Sequence, residues 1–323
     1  MKRIIALFAV LALSACATTE PTQPSGQSAP GTPSASPQSA VVASLKGPTT
    51  MGLVELMADK PEGYDFRLYG TADEIVANLD SIQLALMPAN LASVLYNKTG
   101  GAIQLAAVNT LGVLHVVAKG VDVATLADLA GKTVYSTGKG TTPQYVLEYL
   151  LAKNGLSGVK VEYLSEATEV AAKLAAAKTG VAVLPEPYVT VLTAKDPAVK
   201  SVIDLNDEWD KASPDSKQVT GVLVVKTAWA QANPERLASF LDAYKASIDA
   251  ANADPAAVAP LIAEQGLAPS AAVAEKAIPG AHLAYLDGAQ AKAAVAGYLK
   301  VLFDADPAAV GGALPDDGFY YSR

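Results

Sequence analysis

Apolar and polar positions along this chain keep switching between the two-residue period of a strand and the longer period of a helix. Residues 41–46 are a short apolar run stopped by Gly47-Pro48. From Thr50 to Asp59 the apolar Met51, Leu53, Val54 and Met57 gather on one side of a predicted helix. Tyr64–Tyr69 alternates as a strand, Thr71 heads a helix running to Leu79, and residues 82–87 suit a buried parallel strand ended by Pro88. Further strands are predicted at 104–108 and Leu114–Lys119, with Asn109-Thr110 between them. This alternation predicts βαβ units with right-handed crossovers, and so an α/β fold.

The pattern then restates itself. Thr49-Thr50, opening MGLVELM, is matched by Thr141-Thr142, opening PQYVLEYLL. Gly70-Thr-Ala-Asp-Glu-Ile-Val76 has an echo in Ser165-Glu-Ala-Thr-Glu-Val-Ala171, and LALMPANLASVL from Leu84 returns as VAVLPEPYVTVL from Val181. The three pairs keep their order and nearly their spacing, far longer than a solenoid period, which predicts a duplicated lobe. The second copy supplies a strand around Val134, a helix at Thr142–Lys153, a strand at 159–164 and a helix from Thr168, which is expected to cap it. Strands at 199–205 and 219–226 follow. Beyond Asn233-Pro234 the chain turns Ala-rich and helical, at 235–251, Pro255–Glu264, 270–277 and 289–302. Helices without strands of their own must pack on an existing sheet, which predicts a first lobe of residues 41–110 plus 224–323 and a second of 111–223. The crossings near 109–112 and 220–226 would form the hinge.

Two facing α/β lobes make a cleft, and ligands bind at the carboxyl ends of strands in such sheets. Four loops meet that description. Gly47 to Thr50 and Pro88 to Asn90 come from one lobe, and Gly138 to Thr142 and Pro185 to Tyr188 from the other. The candidate ligand-binding residues are Thr49, Thr50, Asn90, Gly140, Thr141, Thr142, Glu186 and Tyr188. The threonines offer hydroxyls and backbone N–H groups at helix starts, and glycine permits close backbone approach. Asn90 offers an amide that both donates and accepts, and Tyr188 an aromatic wall. The copies differ where Ala89 faces Glu186 and Asn90 faces Pro187, and ligand choice is expected there. Gly138-Lys-Gly-Thr-Thr is no P-loop, because Thr133 stands where the first glycine belongs.

Bulk composition narrows the function. The chain has 323 residues, of which 51% are hydrophobic and 17% charged, and Lys and Arg (24) fall short of Asp and Glu (32) to leave a net charge of -8. Such an acidic surface repels phosphates, so nucleic acid is excluded as a partner. His115 lies inside an apolar strand and His282 in the Ala-rich part, far apart in the chain. With no thiol available beside them, they suggest no catalytic triad and no metal site, so the expectation is a non-enzyme without cofactor. Lys2-Arg3 followed by the apolar run 4–13 is a signal peptide, placed at 1–15. Residues 16–40 are Pro-, Ser- and Thr-rich with almost no apolar bulk, which predicts a disordered tether.

Leu13-Ser-Ala-Cys16 resembles a bacterial lipobox, which implies lipid on Cys16, the chain's single cysteine. GPTTMGLVELM, MPANLASVLYNKTGG, STGKGTTPQYVLEYLLAKNG, LPEPYVTVL and NPERLASFLDAYKASIDAANADP together resemble the solute-binding lipoproteins of ABC importers, in the group serving nitrate, sulfonates, taurine and thiamine-pyrimidine precursors. The resemblance spans residues 41–323. It implies a two-lobe periplasmic-binding-protein-like fold of type II. It also implies a monomer, anchored on the extracytoplasmic side, that closes on a small polar organic solute and docks on a permease with its cytoplasmic ATPase. A ligand sensor or a non-transport enzyme on the same fold are the alternatives. None of the four arginines falls in a cleft loop, so a bidentate carboxylate clamp is not expected. Helix starts suit a sulfonate, whereas Glu186 favours an amine-bearing ring, and the solute's charge stays open.

Overall fold

The computed structural model describes residues 39–323. The expected leader, Cys16 and almost all of the tether lie outside the described residues. Eleven strands among these are β1 (Ala40–Leu45), β2 (Tyr64–Tyr69), β3 (Leu84–Pro88), β4 (Ile103–Thr110), β5 (Leu114–Lys119), β6 (Thr133–Ser136), β7 (Lys160–Tyr163), β8 (Gly180–Pro185), β9 (Val199–Asp204), β10 (Gly221–Lys226) and β11 (Leu283–Leu286). They form two sheets, ordered β11-β4-β10-β3-β1-β2 and β7-β6-β8-β5-β9.

The duplication is visible in this order. Strands β2, β1 and β3 are parallel, as are β7, β6 and β8. Antiparallel β10 and β4 extend the first block, and antiparallel β5 and β9 extend the second. The chain leaves the first sheet after β4, starts the second with β5, and returns through β10. Strands β10 and β5 each lie against the last parallel strand of their sheets, β3 and β8, and the Thr220 N–H bonds the Thr110 carbonyl where the two crossings meet.

The burial of each strand follows from its sequence. Strand β3 is apolar, β1 is apolar but for buried Ser44, and both are covered on both faces. Alternate residues of β1 face different cores: Val41 and Ala43 pack with Met87 and Val108, whereas Val42 packs with Leu86, Leu223, Phe240 and Ile248. The edge strands β2 and β7 instead carry Asp65 and Arg67, and Lys160 and Glu162, which discourage pairing with another chain. The Pro234–Ala253 and Pro255–Glu264 helices cover one face of the first sheet through Leu237, Phe240, Leu241, Tyr244 and Ile262. Thr71 caps the Ala72–Ala77 helix with a complete capping box to Glu74.

Several local expectations fail for identifiable reasons. The helix predicted from Thr50 to Asp59 is two, Pro48–Met51 and Val54–Asp59, broken at Gly52-Leu53. Ile248 presses on the break, and a Cβ on Gly52 would sit 2.7 Å from its Cγ1. Strand β11 is absent from the predicted pattern because four residues in an Ala-rich stretch carry little periodicity; pairing with β4 decides it. Thr168 is not a cap. That position belongs to Glu166, to which the Thr168 hydroxyl donates.

Candidate functional site

The loops singled out from the sequence lie at strand ends, and the structure engages several of them in internal contacts. Thr50 is buried: its hydroxyl donates to the Leu45 carbonyl and lies 2.5 Å from Ser44 Oγ, which ties the turn back onto β1. Asn90 donates to the Ala309 carbonyl at 3.3 Å. Gly140 offers its N–H to Gln144 Oε1 at 2.7 Å, and the exposed Thr141 donates to the Gly138 carbonyl at 2.8 Å. Thr142 accepts from the Tyr298 hydroxyl at 3.2 Å, and Tyr145 donates to Asp306 Oδ2 at 3.1 Å. These last two bonds join the Thr142–Lys153 helix to the C-terminal Gly288–Ala305 helix and the residue that follows it, across the two sheets. Tyr188 is exposed, at 37%.

Thr49 and Glu186 are placed differently. Thr49 is buried, and its methyl points at Gly221 in β10. Glu186 is buried behind a cis peptide to Pro187 and accepts from the Thr190 N–H at 3.1 Å and hydroxyl at 3.0 Å. Burial raises its carboxyl above the usual range, against those two bonds, which favour the ionised form.

Among the described residues, most of the buried side-chain polar atoms without partners lie elsewhere, at the two crossings, the others being on Tyr163, Asp210 and Tyr244. Both amide atoms of Asn109, both of Gln218, and the hydroxyls of Thr110 and Thr220 are buried with no hydrogen-bond partner. The fully buried Tyr244 phenol, raised by that burial, lies beside Asn109, whose approach opposes the shift, yet no bond of ordinary geometry joins them. Glycines let these groups converge. A Cβ on Gly221 would lie 2.4 Å from both Asn109 Oδ1 and Thr49 Cγ2, and one on Gly112 would lie 2.6 Å from Gln218 Oε1. Leaving a buried donor or acceptor unmatched costs about 1–3 kcal/mol, so six such atoms at one junction are a feature needing a function. Asn109, Thr110 and Thr220 fall within the predicted hinge and Gln218 just before it; none of the four was among the predicted binding residues. A partial signal was present: polar Asn109-Thr110 end the mostly apolar strand β4, whereas Gln218 stands just before β10 in a polar stretch.

The histidines also stand differently from their sequence-based description. Far apart in the chain, they stack with ring centroids 6.1 Å apart. Asp204, at the end of β9, lies between them, its Oδ2 being 3.1 Å from His282 Nε2 and 3.7 Å from His115 Nδ1. The predicted isolation of these rings is therefore corrected, because the junction of β5, β9 and the residue before β11 brings them together. Burial disfavours the charged His282 ring, but the Asp204 carboxylate and the Gly112 carbonyl outweigh it and raise its pKa. Burial likewise works against ionised Asp204, yet the two imidazoles hold its carboxyl below the usual range. This trio is where a metal could be held among the described residues.

Comparison with known proteins places this geometry. Residues 102–258 match the NMT1/THI5 like family. No curated protein matches the chain by sequence. An ABC transporter structure from Parabacteroides distasonis is similar at 27% identity and TM-score 0.78, over 88% of this chain and 99% of that one. The periplasmic aliphatic sulphonate binding protein of Escherichia coli is similar at 15% identity and TM-score 0.68, over 89% and 93%. A putative nitrate transport protein from Thermoplasma volcanium is similar at 12% identity and TM-score 0.56, over 83% and 93%. The chain is thus NMT1/THI5-like over residues 102–258 and has the two-sheet α/β fold of the periplasmic binding proteins.

Proposed function

We propose that this protein is the solute-binding component of an ABC importer, holding a small polar organic solute between its lobes and delivering it to a permease. The lobes are residues 41–110 with 224–323, and residues 111–223. The observation that carries this reading is the set of unpartnered amides and hydroxyls buried at both crossings. A solute seated there contacts both lobes at once, and closure is stabilised only by contacts better made in the closed state. The relatives named for transport support the same role.

The chemistry of the floor narrows the solute. Asn109 and Gln218 each present a donor and an acceptor, whichever way the amides are turned. A sulfonate only accepts and would leave both carbonyl oxygens unmatched. An aminopyrimidine edge, which donates and accepts side by side, matches them. The protein performs no chemistry on the solute, which it releases unchanged. Cys16 carries the lipid that keeps it at the extracytoplasmic face.

A thermal-shift and calorimetric screen of aminopyrimidines, aliphatic sulfonates, taurine and nitrate tests this. An aminopyrimidine is expected to raise the melting temperature, compact the protein in solution scattering and be recovered unaltered by NMR. Asn109→Ala is expected to weaken its binding at least about tenfold. Tight binding of a sulfonate that Asn109→Ala and Gln218→Ala leave untouched would remove this site. Cys16→Ala is expected to release the mature protein from the membrane fraction, and its retention there would remove the anchor.

A further inference from the structure

His115, Asp204 and His282 are arranged as ligands rather than as a simple ion pair. Their three ligand atoms lie within 4.8 Å of one another. The edges of 3.1 Å and 3.7 Å from Asp204 Oδ2 to the ring nitrogens bracket the separation of about 3.3–3.6 Å that donors take around a tetrahedral ion at about 2.0–2.2 Å. Two of the three come from the second sheet, in β5 and β9, and the third stands next to β11 of the first.

Each ligand is oriented from behind by the backbone. His115 Nε2 lies 3.0 Å from the Gly280 carbonyl, and His282 Nδ1 lies 2.5 Å from the Gly112 carbonyl. A carbonyl only accepts, so those nitrogens carry the hydrogens. In neutral rings this leaves His115 Nδ1 and His282 Nε2 as lone pairs aimed at the same place. Asp204 Oδ1 accepts from the Asn206 N–H at 2.8 Å, which leaves Oδ2 for the cluster. Such outer partners on every ligand are the usual support of a metal site. His282 also holds a left-handed backbone, at φ 46°, that few non-glycine residues adopt and that directs its ring toward Asp204. The approach is tight, since a Cβ on Gly280 would lie 3.1 Å from both His115 Nε2 and Glu186 Oε1.

We propose that His115, Asp204 and His282 form a binding site for a divalent transition-metal ion, zinc being the best match, closed between the two lobes. Two imidazoles and one carboxylate suit zinc, whereas calcium and magnesium prefer oxygen donors. The side chains of His282 and Asp204 are 22% and 23% exposed, which leaves a fourth position for water or a solute group. Because the ligands come from both sheets, the ion favours the apposed lobes. The site stands independently of which solute the floor accepts.

The test is zinc chloride titrated into chelator-stripped full-length protein, followed by calorimetry and by nitrogen NMR of the imidazoles. With two histidines in the chain, both rings can be assigned. One ion per chain is expected, with His115 Nδ1 and His282 Nε2 both shifting to metal-bound values. His282→Gln and Asp204→Asn, checked for folding by circular dichroism, are each expected to lower affinity at least about a hundredfold. Absence of one-to-one binding, ring shifts at the other nitrogens, or unchanged affinity in both folded variants would overturn the proposal.

Discussion

Gln218 shows what a single residue contributes here. It is fully buried with both amide atoms unmatched, against the face of Gly112 that has no room for a Cβ. Such a residue lowers the stability of the free protein, and under the proposed function it is kept for what it binds. Gln218→Met, close in shape but without the amide, is therefore expected to stabilise the solute-free protein by about 1 kcal/mol or more while abolishing solute binding. Denaturant unfolding beside calorimetry checks both halves, and a destabilised variant with intact binding would contradict the assignment. At this scale the sequence showed a polar residue just before an apolar strand. It did not show whether that residue finds partners, because partner choice depends on contacts between segments far apart in the chain. The same limit applies to Thr50, Asn90 and Thr142, whose side chains bond to Leu45, Ala309 and Tyr298.

At the scale of elements, local chemistry was the more legible part. Thr71 was readable as a helix start, and in the structure Glu74 completes its capping box. Asp128 does the same for the short helix Leu126–Leu129, accepting from the N–H groups of Ala124 and Thr125 and from the Thr125 hydroxyl. Those bonds favour the ionised carboxylate and lower its pKa. With the folded value depressed, the stabilisation is present above the ordinary carboxylate range and is lost as pH falls through the folded value. Asp128→Asn is expected to reduce stability at neutral pH and to flatten its fall on acidification, as followed by melting temperature across the acid limb. An unchanged acid limb would mean this cap is not coupled to folding. Strand β11 and the break at Gly52 were not readable locally, since pairing with β4 and pressure from Ile248 decide them.

For the whole molecule, the contacts that matter cross between the sheets. Tyr298 donates to Thr142 and Tyr145 to Asp306 on one flank, while His115 meets Gly280 and His282 meets Asp204 on the other. A neutral hydrogen bond contributes about 0.5–1.5 kcal/mol and one to a carboxylate such as Asp306 about 1.5–3 kcal/mol, enough to shift an open–closed population severalfold or more. Tyr145→Phe is thus expected to weaken solute binding severalfold and to expand the solute-free protein in solution scattering, with little loss of thermal stability. Equal affinity and dimensions in the variant would show that this contact does not hold the lobes.

The sequence by itself determined the α/β class, the duplicated lobe and the strand ends that carry the loops. Those follow from hydrophobic period and turn chemistry, which act over a few neighbouring residues. The tertiary structure decided which loop residues are committed to internal bonds, that Asn109, Thr110, Gln218 and Thr220 are buried unmatched at the crossings, and that His115 and His282 flank one carboxylate. The reason is physical. Two crossing strands and the returning β11 bring distant residues within hydrogen-bond reach, and no local periodicity encodes that proximity.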